Sequence, residues 1–422
     1  MQKRRVVVTG IGLVTSLGND VATCWQRLLQ GHSGAAAITH FDASRFKTRF
    51  ACEVRDLDMS SLMDAKEVRR YDRYIHYAIH SAEQAMRDAH IDIHQEDAYR
   101  CGVIYGSGMG GVNALDTNIG AFFAGDGTPR YSPFFVPMII TNMAAGMLSI
   151  RYGFRGVNYN TTSACASSAH AIANAYYQIR MGLADVMLTG GSEAAIECCG
   201  VGGFNALHAL STRNDSPQSA SRPFSASRDG FVLGEGAGTL VLEDYEHAIA
   251  RGAHIYAELL GVGLCADAYH LTASDPDGVG ACQAMQLAIN EAGVSIEQID
   301  YINTHGTATQ QGDLAEVRAI QKLFGQHAYL LNLTSSKSMI GHMLGAAGAA
   351  EAIISILSMQ HGMVTPTINH MDGDDDENID PRLNFTFNQA QARTIRYAMS
   401  NSFGFGGHNA SLLFKNPITD IR

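Results

Sequence analysis

Val6-Val7-Val8-Thr9-Gly10-Ile11-Gly12 is an apolar run that passes into closely spaced glycines, and it predicts a buried strand followed by a glycine turn. Four further strand-like runs cover residues 102–106, 185–190, 239–242 and 255–263. Segments of helical period lie between them, as at residues 71–90 and 280–292. Strands that alternate with helices in this way indicate an α/β fold with buried sheets.

The length and composition of the chain allow a large core. It has 422 residues, of which 46% are hydrophobic and 17% are charged. No proline- or serine-rich linker interrupts it, and the softest boundary falls near Arg251-Gly252, where a predicted helix gives way to a strand. We therefore expect two closely packed halves, residues 1–252 and residues 253–422.

Net charge and cysteine spacing limit the classes of function. The net charge of −11 argues against non-specific binding of nucleic acid, and an acidic partner would need a local basic patch. Eight cysteines are scattered without CxxC spacing, which favours neither a disulfide framework nor a zinc ribbon. We expect a protein of the reducing cytoplasm.

The apolar segments give no sign of export or membrane insertion. The basic start, Met1 to Arg5, is not followed by the long apolar run of a secretory signal. The most apolar stretch, residues 339–359, is interrupted by His342 and Glu351, so it predicts a buried helix instead of a membrane span. We expect a soluble protein without a targeting segment.

Cys165 is the first candidate for chemistry. It lies in Thr161-Thr162-Ser163-Ala164-Cys165-Ala166-Ser167-Ser168-Ala169-His170, where small residues run into a helical pattern over residues 171–181. A thiol at a helix N-terminus is expected to have a lowered pKa, because the dipole and the free N–H groups favour the thiolate. The same N–H groups can hold an oxyanion. A buried cysteine that only caps the helix explains this segment nearly as well.

Two histidine segments favour the catalytic interpretation of Cys165. They are Asn303-Thr304-His305-Gly306-Thr307-Ala308-Thr309 and Lys337-Ser338-Met339-Ile340-Gly341-His342-Met343-Leu344-Gly345. A histidine crowded by small residues faces a ligand more often than one packed among large apolar groups.

A fourth segment, Asn401-Ser402-Phe403-Gly404-Phe405-Gly406-Gly407-His408-Asn409, alternates aromatic residues and glycine. The alternation is too dense for an ordinary strand and predicts a mobile or tightly turned loop. A packed turn with two core phenylalanines is the alternative.

Together these four segments resemble, in order and spacing, the β-ketoacyl-acyl-carrier-protein synthases of fatty acid synthesis, and the type II elongating enzymes most closely. Supporting stretches include Leu210-Ser211-Thr212-Arg213-Asn214-Asp215 and Arg228-Asp229-Gly230-Phe231-Val232-Leu233-Gly234. The resemblance implies a thiolase-like α/β fold, with two pseudo-symmetric halves in a five-layered αβαβα arrangement. It also implies a homodimer, without cofactor or metal.

The resemblance implies a two-step reaction. An acyl-carrier protein loads an acyl group onto Cys165, and a malonyl-carrier protein then loses carbon dioxide and attacks the resulting thioester. His305 and His342 correspond to the histidine pair that would hold the malonyl thioester oxygen. Lys337 matches a lysine that sets the charge state of this pair, and Glu351 matches its ion partner.

The resemblance also implies binding positions. Phe405 matches a gating phenylalanine whose backbone N–H, together with that of Cys165, would form an oxyanion hole. Substrate-binding positions are Met109, Gly200, Phe204, Gly404, Gly406, Thr307 and Thr309. A basic patch for the acidic carrier protein would comprise Lys66, Arg69, Arg70, Arg130 and Arg213, although a solvated face explains any one of these as well.

Departures from the family pattern keep the acyl substrate open. Ala308 and Gln310 replace the usual Ser and Pro, His408 replaces Thr, and Cys198-Cys199 stands where the acyl pocket is expected. A ketosynthase subunit of a dedicated type II polyketide or polyene pathway, paired with a chain-length subunit, is therefore an alternative with the same chemistry.

Other classes fit the sequence less well. A non-catalytic chain-length subunit is disfavoured by Cys165, and a degradative thiolase by the second histidine. Thr15 stands where a Rossmann fingerprint needs its third glycine, and no G-x-S-x-G marks a serine hydrolase.

Overall fold

The computed structural model describes residues 3–417. Its strands are β1 (Val6–Val14), β2 (Ala36–Ala37), β3 (Phe50–Ala51), β4 (Cys101–Gly106), β5 (Asn158–Thr161), β6 (Val186–Glu193), β7 (Gly236–Asp244), β8 (Ala257–Ala266), β9 (Tyr301–Asn303), β10 (Asn332–Thr334), β11 (Met363–Val364), β12 (Gln391–Ala392), β13 (Tyr397–Gly404) and β14 (His408–Lys415). Its α-helices are α1 (Val21–Leu29), α2 (Ala65–Val68), α3 (Arg73–Ala89), α4 (Val112–Ala124), α5 (Phe135–Ile139), α6 (Met143–Tyr152), α7 (Ser167–Arg180), α8 (Cys198–Ala206), α9 (Tyr245–Ala250), α10 (Val279–Ala292), α11 (Gln310–Phe324), α12 (Lys337–Ile340) and α13 (Ala347–His361).

Ten strands form one hydrogen-bonded array in the order β10-β9-β13-β14-β8-β1-β7-β6-β4-β5. The five strands that precede residue 252 lie together on one side, and the five that follow it lie on the other. The two groups meet where β1 pairs antiparallel with β8. Each group ends in parallel pairing, β6-β4-β5 in the first and β13-β9-β10 in the second.

Helices cover both groups and fill the space between them. On the outside of the first group, α3 packs against β1 and β7, and α6 packs against β4. Between the groups, α7 contacts β6 and β4, while α13 contacts both β13 and β7. On the outside of the second group, α10 packs on β8 and β14 and contacts α11. The resulting succession of helix, sheet, helix, sheet and helix confirms the predicted thiolase-like α/β class.

The predicted division at residue 252 falls between α9 and β8, and as a domain boundary it stays a prediction. The outermost residues of the two predicted halves, 1–2 and 418–422, lie outside the described residues.

The glycine turn predicted after Val8 is wrong, because β1 continues through Gly10 and Gly12 to Val14. A methyl group at Gly10 would collide with the carbonyl oxygen of Ala85, and one at Gly12 with that of Ser81. Both carbonyls belong to α3. These glycines therefore let a helix lie directly on the strand, which is a packing role and not a turn.

The single buried helix predicted over residues 339–359 is replaced by three pieces: α12, a single 3₁₀ turn at Leu344–Ala346, and α13. α12 stops at Ile340, where Gly341 takes a φ of +70°, and α13 starts only at Ala347. The break lets the chain turn and leaves His342 outside any helix. Among residues 3–417, no helix combines the length and apolarity needed to cross a bilayer.

Candidate active site

Cys165 lies in the tight connection between β5 and α7. The preceding Ala164 has a φ of +50°. This left-handed conformation is unfavourable for any residue that has a Cβ atom. α7 begins at Ser167 with Ala166 as its N-cap, so the thiol stands just before the first turn of the helix, as the sequence predicted. Cys165 is only 7% exposed.

The pKa of Cys165 moves opposite to the sequence-based expectation. Burial raises the pKa of this thiol from 9.0 to about 12, and the nearby charge of Lys337 lowers it only in part. The backbone N–H groups of Phe405 and Cys165 also lower it, because a nearby N–H donor favours the thiolate. At this buried position the resting form is therefore the thiol, because the helix N-terminus does not outweigh the loss of water.

His342 and His305 meet the thiol from the other strand group. His342 Nε2 lies 3.0 Å from Cys165 Sγ. The two imidazole rings are 5.4 Å apart between centroids and nearly perpendicular, at 83°. His305 follows β9, whereas His342 follows α12. The backbone N–H of His342 donates to the carbonyl oxygen of Val232 at 2.7 Å, which anchors this residue.

Both imidazoles are held neutral. Burial lowers the pKa of His305 well below 6.5, and the charge of Lys337 and the neighbouring His342 add to the effect. Burial and Lys337 lower the pKa of His342 in the same direction. Within the described residues, the Nδ1 atoms of both rings are buried and accept or donate no hydrogen bond. Nε2 of His342, which faces Cys165 Sγ, is thus the nitrogen through which that ring makes its polar contact.

Lys337 and Glu351 form a fully buried ion pair, as the family resemblance implied. Lys337 Nζ donates to Glu351 Oε1. Burial raises the pKa of Glu351 to about 7, against the lowering effect of the lysine charge. Lys337 supplies the positive charge that both histidines and the thiol experience.

The predicted glycine-phenylalanine loop is a three-residue hairpin loop. Gly404 pairs with His408 at the ends of β13 and β14, so residues 405–407 alone form the turn. A methyl group at Gly404 would lie 3.1 Å from the backbone nitrogen of Cys165, and Gly406 has a φ of +86°. Gly404 thus permits close approach to the nucleophile, whereas Gly406 permits the turn. The side chain of Phe405 is half-buried.

A cavity of about 410 Å³ joins these groups. Apolar side chains and small residues surround Cys165, and polar side chains line the remainder. The apolar lining includes Met109, Phe204, Leu207, Phe231 and Leu344. The polar lining includes Asp267, Thr272, Ser274, Thr307, Thr309, Gln311 and Asn409. Exposed Gln311 marks the open end of the cavity.

Most of the predicted substrate-binding residues line this cavity, but two do not. Met109, Phe204, Gly404, Thr307 and Thr309 are part of its wall. Among the described residues that line it, Gly200 and Gly406 are absent. A methyl group at Gly200 would collide with the carbonyl oxygen of Ala195, so this glycine permits close backbone packing at the start of α8. A role for Gly200 in binding the acyl chain stays a prediction.

The five residues of the predicted carrier-protein patch differ in their exposure and in the partners they already have within the chain. Lys66, Arg69 and Arg70 are exposed on and just after α2, and Arg70 lies over the ring of Phe134. Arg130 is exposed but pairs with Asp126 at 2.9 Å. Arg213 is half-buried and donates to the carbonyl oxygen of Ser227 at 2.5 Å. The first three residues are thus the better placed for an acidic partner.

Two buried carboxylates that hold the site loops were missed in the sequence. Glu193, at the end of β6, accepts the N–H groups of Gly108 at 2.8 Å and of Met109 at 3.0 Å. Glu316, on α11, accepts those of His305 at 2.9 Å and of Gly306 at 2.8 Å. The sequence does contain a signal for them, because a carboxylate at the end of an apolar strand or within the apolar face of a helix is expected to be buried and to need hydrogen-bond donors.

Phe231 is a further residue that the sequence left without a role. It lies on the cavity wall and its ring meets that of His342 edge-on, 5.2 Å between centroids. The contact fixes the plane of the imidazole.

The departures from the family pattern lie around the cavity and not at its centre. Ala308 has a φ of +65° and donates its N–H to Asp313 at 3.1 Å. His408 is exposed, and its ring stands edge-on to His170 with 6.2 Å between centroids. Cys198 and Cys199 are exposed at the start of α8, and neither belongs to the described lining of the cavity.

Comparison with known proteins agrees with this geometry. Residues 3–248 match the β-ketoacyl synthase N-terminal domain, and residues 256–371 match the C-terminal domain of the same enzymes. The chain is 48% identical to 3-oxoacyl-[acyl-carrier-protein] synthase 2 of Coxiella burnetii, over 98% of this chain and 99% of that protein.

Solved structures show the same likeness. The ishigamide ketosynthase/chain length factor superposes with a TM-score of 0.91 at 33% identity, covering 98% of this chain and 99% of that one. A type II polyketide ketosynthase in complex with its acyl-carrier protein, bound to the hexaketide, superposes with a TM-score of 0.87 at 34% identity, covering 98% and 100%. By sequence along nearly its whole length and by fold, the chain belongs to the β-ketoacyl synthase family.

Proposed function

We propose that the protein is a 3-oxoacyl-acyl-carrier-protein synthase that extends acyl chains by two carbons in fatty acid biosynthesis. One observation carries the proposal. A thiol from the first strand group and two neutral imidazoles from the second meet in one cavity, with their donor atoms within 4.8 Å of one another. The identity with 3-oxoacyl-[acyl-carrier-protein] synthase 2 supports the assignment.

In the first half-reaction, the sulfur of Cys165 attacks the acyl thioester of a carrier protein. The bond to the carrier sulfur breaks, and the proton of the Cys165 thiol ends on the departing carrier thiol, with His342 Nε2 at 3.0 Å placed to relay it. The N–H groups of Cys165 and Phe405, which act on the thiol as donors, stabilise the oxyanion of the tetrahedral intermediate.

In the second half-reaction, a malonyl thioester takes the place of the carrier thiol. Its carboxylate leaves as carbon dioxide, and the electron pair of the broken bond forms an enolate whose oxygen accepts N–H from His305 and His342. The enolate carbon attacks the acyl group, the bond to Cys165 breaks, and the released thiolate takes up one proton. Neutral imidazoles suit this step. Burial and the charge of Lys337 lower the pKa of both histidines, so each ring stays uncharged and donates its single N–H to the enolate oxygen.

The partner that fits these steps is an acyl-carrier protein in acyl- and malonyl-loaded forms. Thr307 and Thr309 line the cavity and offer hydroxyl groups to the carrier's flexible arm. Lys66, Arg69 and Arg70 provide positive charge for its acidic surface. We place the enzyme in the cytoplasm as a homodimer, without nucleic-acid or metal cofactors.

A second candidate is the same condensation within a dedicated type II polyketide or polyene pathway. The likeness to the ishigamide ketosynthase/chain length factor and the departures at Ala308, Gln310 and His408 favour it. In that case the partner would be a chain-length subunit in a heterodimer. Extension rates on saturated versus polyunsaturated acyl-carrier proteins separate the two, because efficient extension of ordinary saturated chains contradicts the dedicated pathway.

Substitution at Cys165 tests the shared mechanism. We expect Cys165→Ala to lose acyl transfer and condensation by at least ~10⁴-fold, the scale seen when a nucleophile is removed. Cys165→Gln, which mimics the acylated residue, should still decarboxylate malonyl-carrier protein without condensing it. Mass spectrometry of the acyl-enzyme and of the products gives both readouts.

Cys199→Ala is the matched control, since that exposed thiol lies outside the cavity lining and its loss should leave acylation intact. Condensation that survives in Cys165→Ala would refute the assignment.

A further inference from the structure

The triad of Cys165, His305 and His342 has a property that condensation does not require. Each residue offers one soft donor atom to the same cavity, and the three atoms lie within 4.8 Å of one another. Between residues 3 and 417, no other trio of His, Cys, Asp or Glu side chains meets that distance. We propose that the triad is also a Zn²⁺ site, and that the bound cation is a reversible inhibitor of the enzyme.

The distances match a zinc coordination sphere after small side-chain rotations. Zinc bonds of about 2.3 Å to sulfur and about 2.0–2.1 Å to nitrogen, at tetrahedral angles, place ligand atoms about 3.3–3.6 Å apart. The observed separation of Cys165 Sγ and His342 Nε2 is 3.0 Å, and the whole trio spans no more than 4.8 Å. One thiolate and two imidazoles are typical zinc ligands, and the cavity leaves the fourth position to water.

Buried carboxyl groups lie around the triad and offset the one nearby ammonium group. Glu193 acts electrostatically on Cys165, and Glu316 bonds to the backbone of His305. Lys337, whose charge acts on all three ligands, is paired with Glu351. Because backbone hydrogen bonds already hold His305 and His342 in place, little ordering is needed on binding.

Zinc binding and acylation exclude each other. When zinc binds, the thiol releases its proton to solvent and the sulfur lone pair forms the metal bond. The same sulfur can then no longer attack a thioester, and the two imidazoles can no longer donate to an enolate. That inhibition rests on the proposed function, whereas binding itself does not.

The test measures Zn²⁺ binding to the purified full-length protein by competition with a chromogenic chelator. We expect one tight site per chain. Cys165→Ser should weaken it by more than the ~100-fold that loss of an outer-sphere partner causes, and His305→Asn should do so as well. Substitution of Co²⁺ should give a sulfur-to-cobalt charge-transfer band that Cys165→Ser lacks. Circular dichroism verifies that each variant is folded.

The control variant is Cys198→Ser/Cys199→Ser, because this exposed pair is the obvious competing site. It should retain the tight site. Unchanged affinity in both Cys165→Ser and His305→Asn, or loss of binding in the Cys198/Cys199 variant alone, would overturn the proposal. Half-inhibition of condensation should occur at the dissociation constant measured by competition and be reversed by chelator. A protein that binds zinc through the triad but never condenses would instead refute the proposed function.

Discussion

The loop after β4 and the loop after β9 occupy corresponding places in the molecule. Each follows the strand next to the outer edge of its five-strand group, and each is held by a buried carboxylate that accepts two consecutive N–H groups. The carboxylate is Glu193 in the first case and Glu316 in the second. Yet the first loop presents Met109 to the cavity, whereas the second presents His305. The same support thus carries an apolar wall in one half and an electrophilic group in the other.

Removal of the two presented side chains should have the largest and most different effects. His305→Ala should slow malonyl decarboxylation by ~10²–10³-fold, the usual cost of one oxyanion donor. Met109→Ala should leave decarboxylation unchanged and admit longer acyl chains, because it removes only apolar volume from the wall. Decarboxylation rates and a series of acyl-carrier proteins of increasing length measure the two effects. A large loss of decarboxylation in Met109→Ala would show that the two loops are not functionally distinct.

The supports themselves should behave alike. Glu316→Ala and Glu193→Ala each leave two or more buried N–H groups without an acceptor, so we expect each to lower the free energy of unfolding by about 1–3 kcal/mol. The corresponding Gln variants keep an acceptor oxygen and should cost less. Chemical denaturation measures the difference, and equal stability of the Ala and Gln variants would contradict a role for these hydrogen bonds.

The stability of the protein should also depend on pH through Glu193. Burial raises the pKa of Glu193 from 4.5 to about 7, so between these pH values the native state keeps a proton that the unfolded chain has lost. The contribution of this group to stability therefore falls as the pH rises through that window. Glu193→Gln should flatten the plot of Tm against pH there, while exposed Glu377→Gln should leave its slope unchanged. Parallel curves for wild type and Glu193→Gln would exclude this titration.

The smallest effect concerns the backbone of the two loops. The first uses Gly110, with a φ of +68°, for its left-handed turn, and the second uses Ala308, with a φ of +65°. Ala308→Gly should relieve about 1–2 kcal/mol of left-handed strain and lose about 0.4–1 kcal/mol to the entropy of the unfolded chain, for a net gain of about 0.5 kcal/mol. Ala121→Gly, on the exposed face of α4, should be destabilising instead. Thermal unfolding compares the two, and a loss of stability in Ala308→Gly would show that its methyl group packs usefully.

How far the sequence predicts the site depends on the range of the interactions. Cys165, His305 and His342 stand in short segments whose glycines and small residues, with the family resemblance, point to chemistry, and the fold brings them together. The supports are harder to find, because Glu193 lies 84 positions from Met109, and no local pattern joins them.

Two failures have a common cause. The sequence predicts a turn at Gly10 and Gly12 and a lowered pKa of Cys165, and the structure shows neither. In both cases the decisive neighbours come from distant parts of the chain: α3 lies on the glycines, and the residues packed around Cys165 remove water from the thiol. Local propensity and the helix dipole are visible in a sequence, whereas close backbone approach and desolvation are products of the tertiary fold.

The division of the triad between the two strand groups also matters while the polypeptide is being made. The ribosome delivers Cys165 well before it delivers His305, 140 residues later (305 − 165), and His342 later still. The second edge of β1 can pair only after β8 has been synthesised, and α7 can pack against α13 only after α13 has been synthesised. A nascent or truncated chain therefore carries a thiol without its imidazoles. The ability to condense therefore arises only when the last third of the chain has docked and brought both histidines to the thiol.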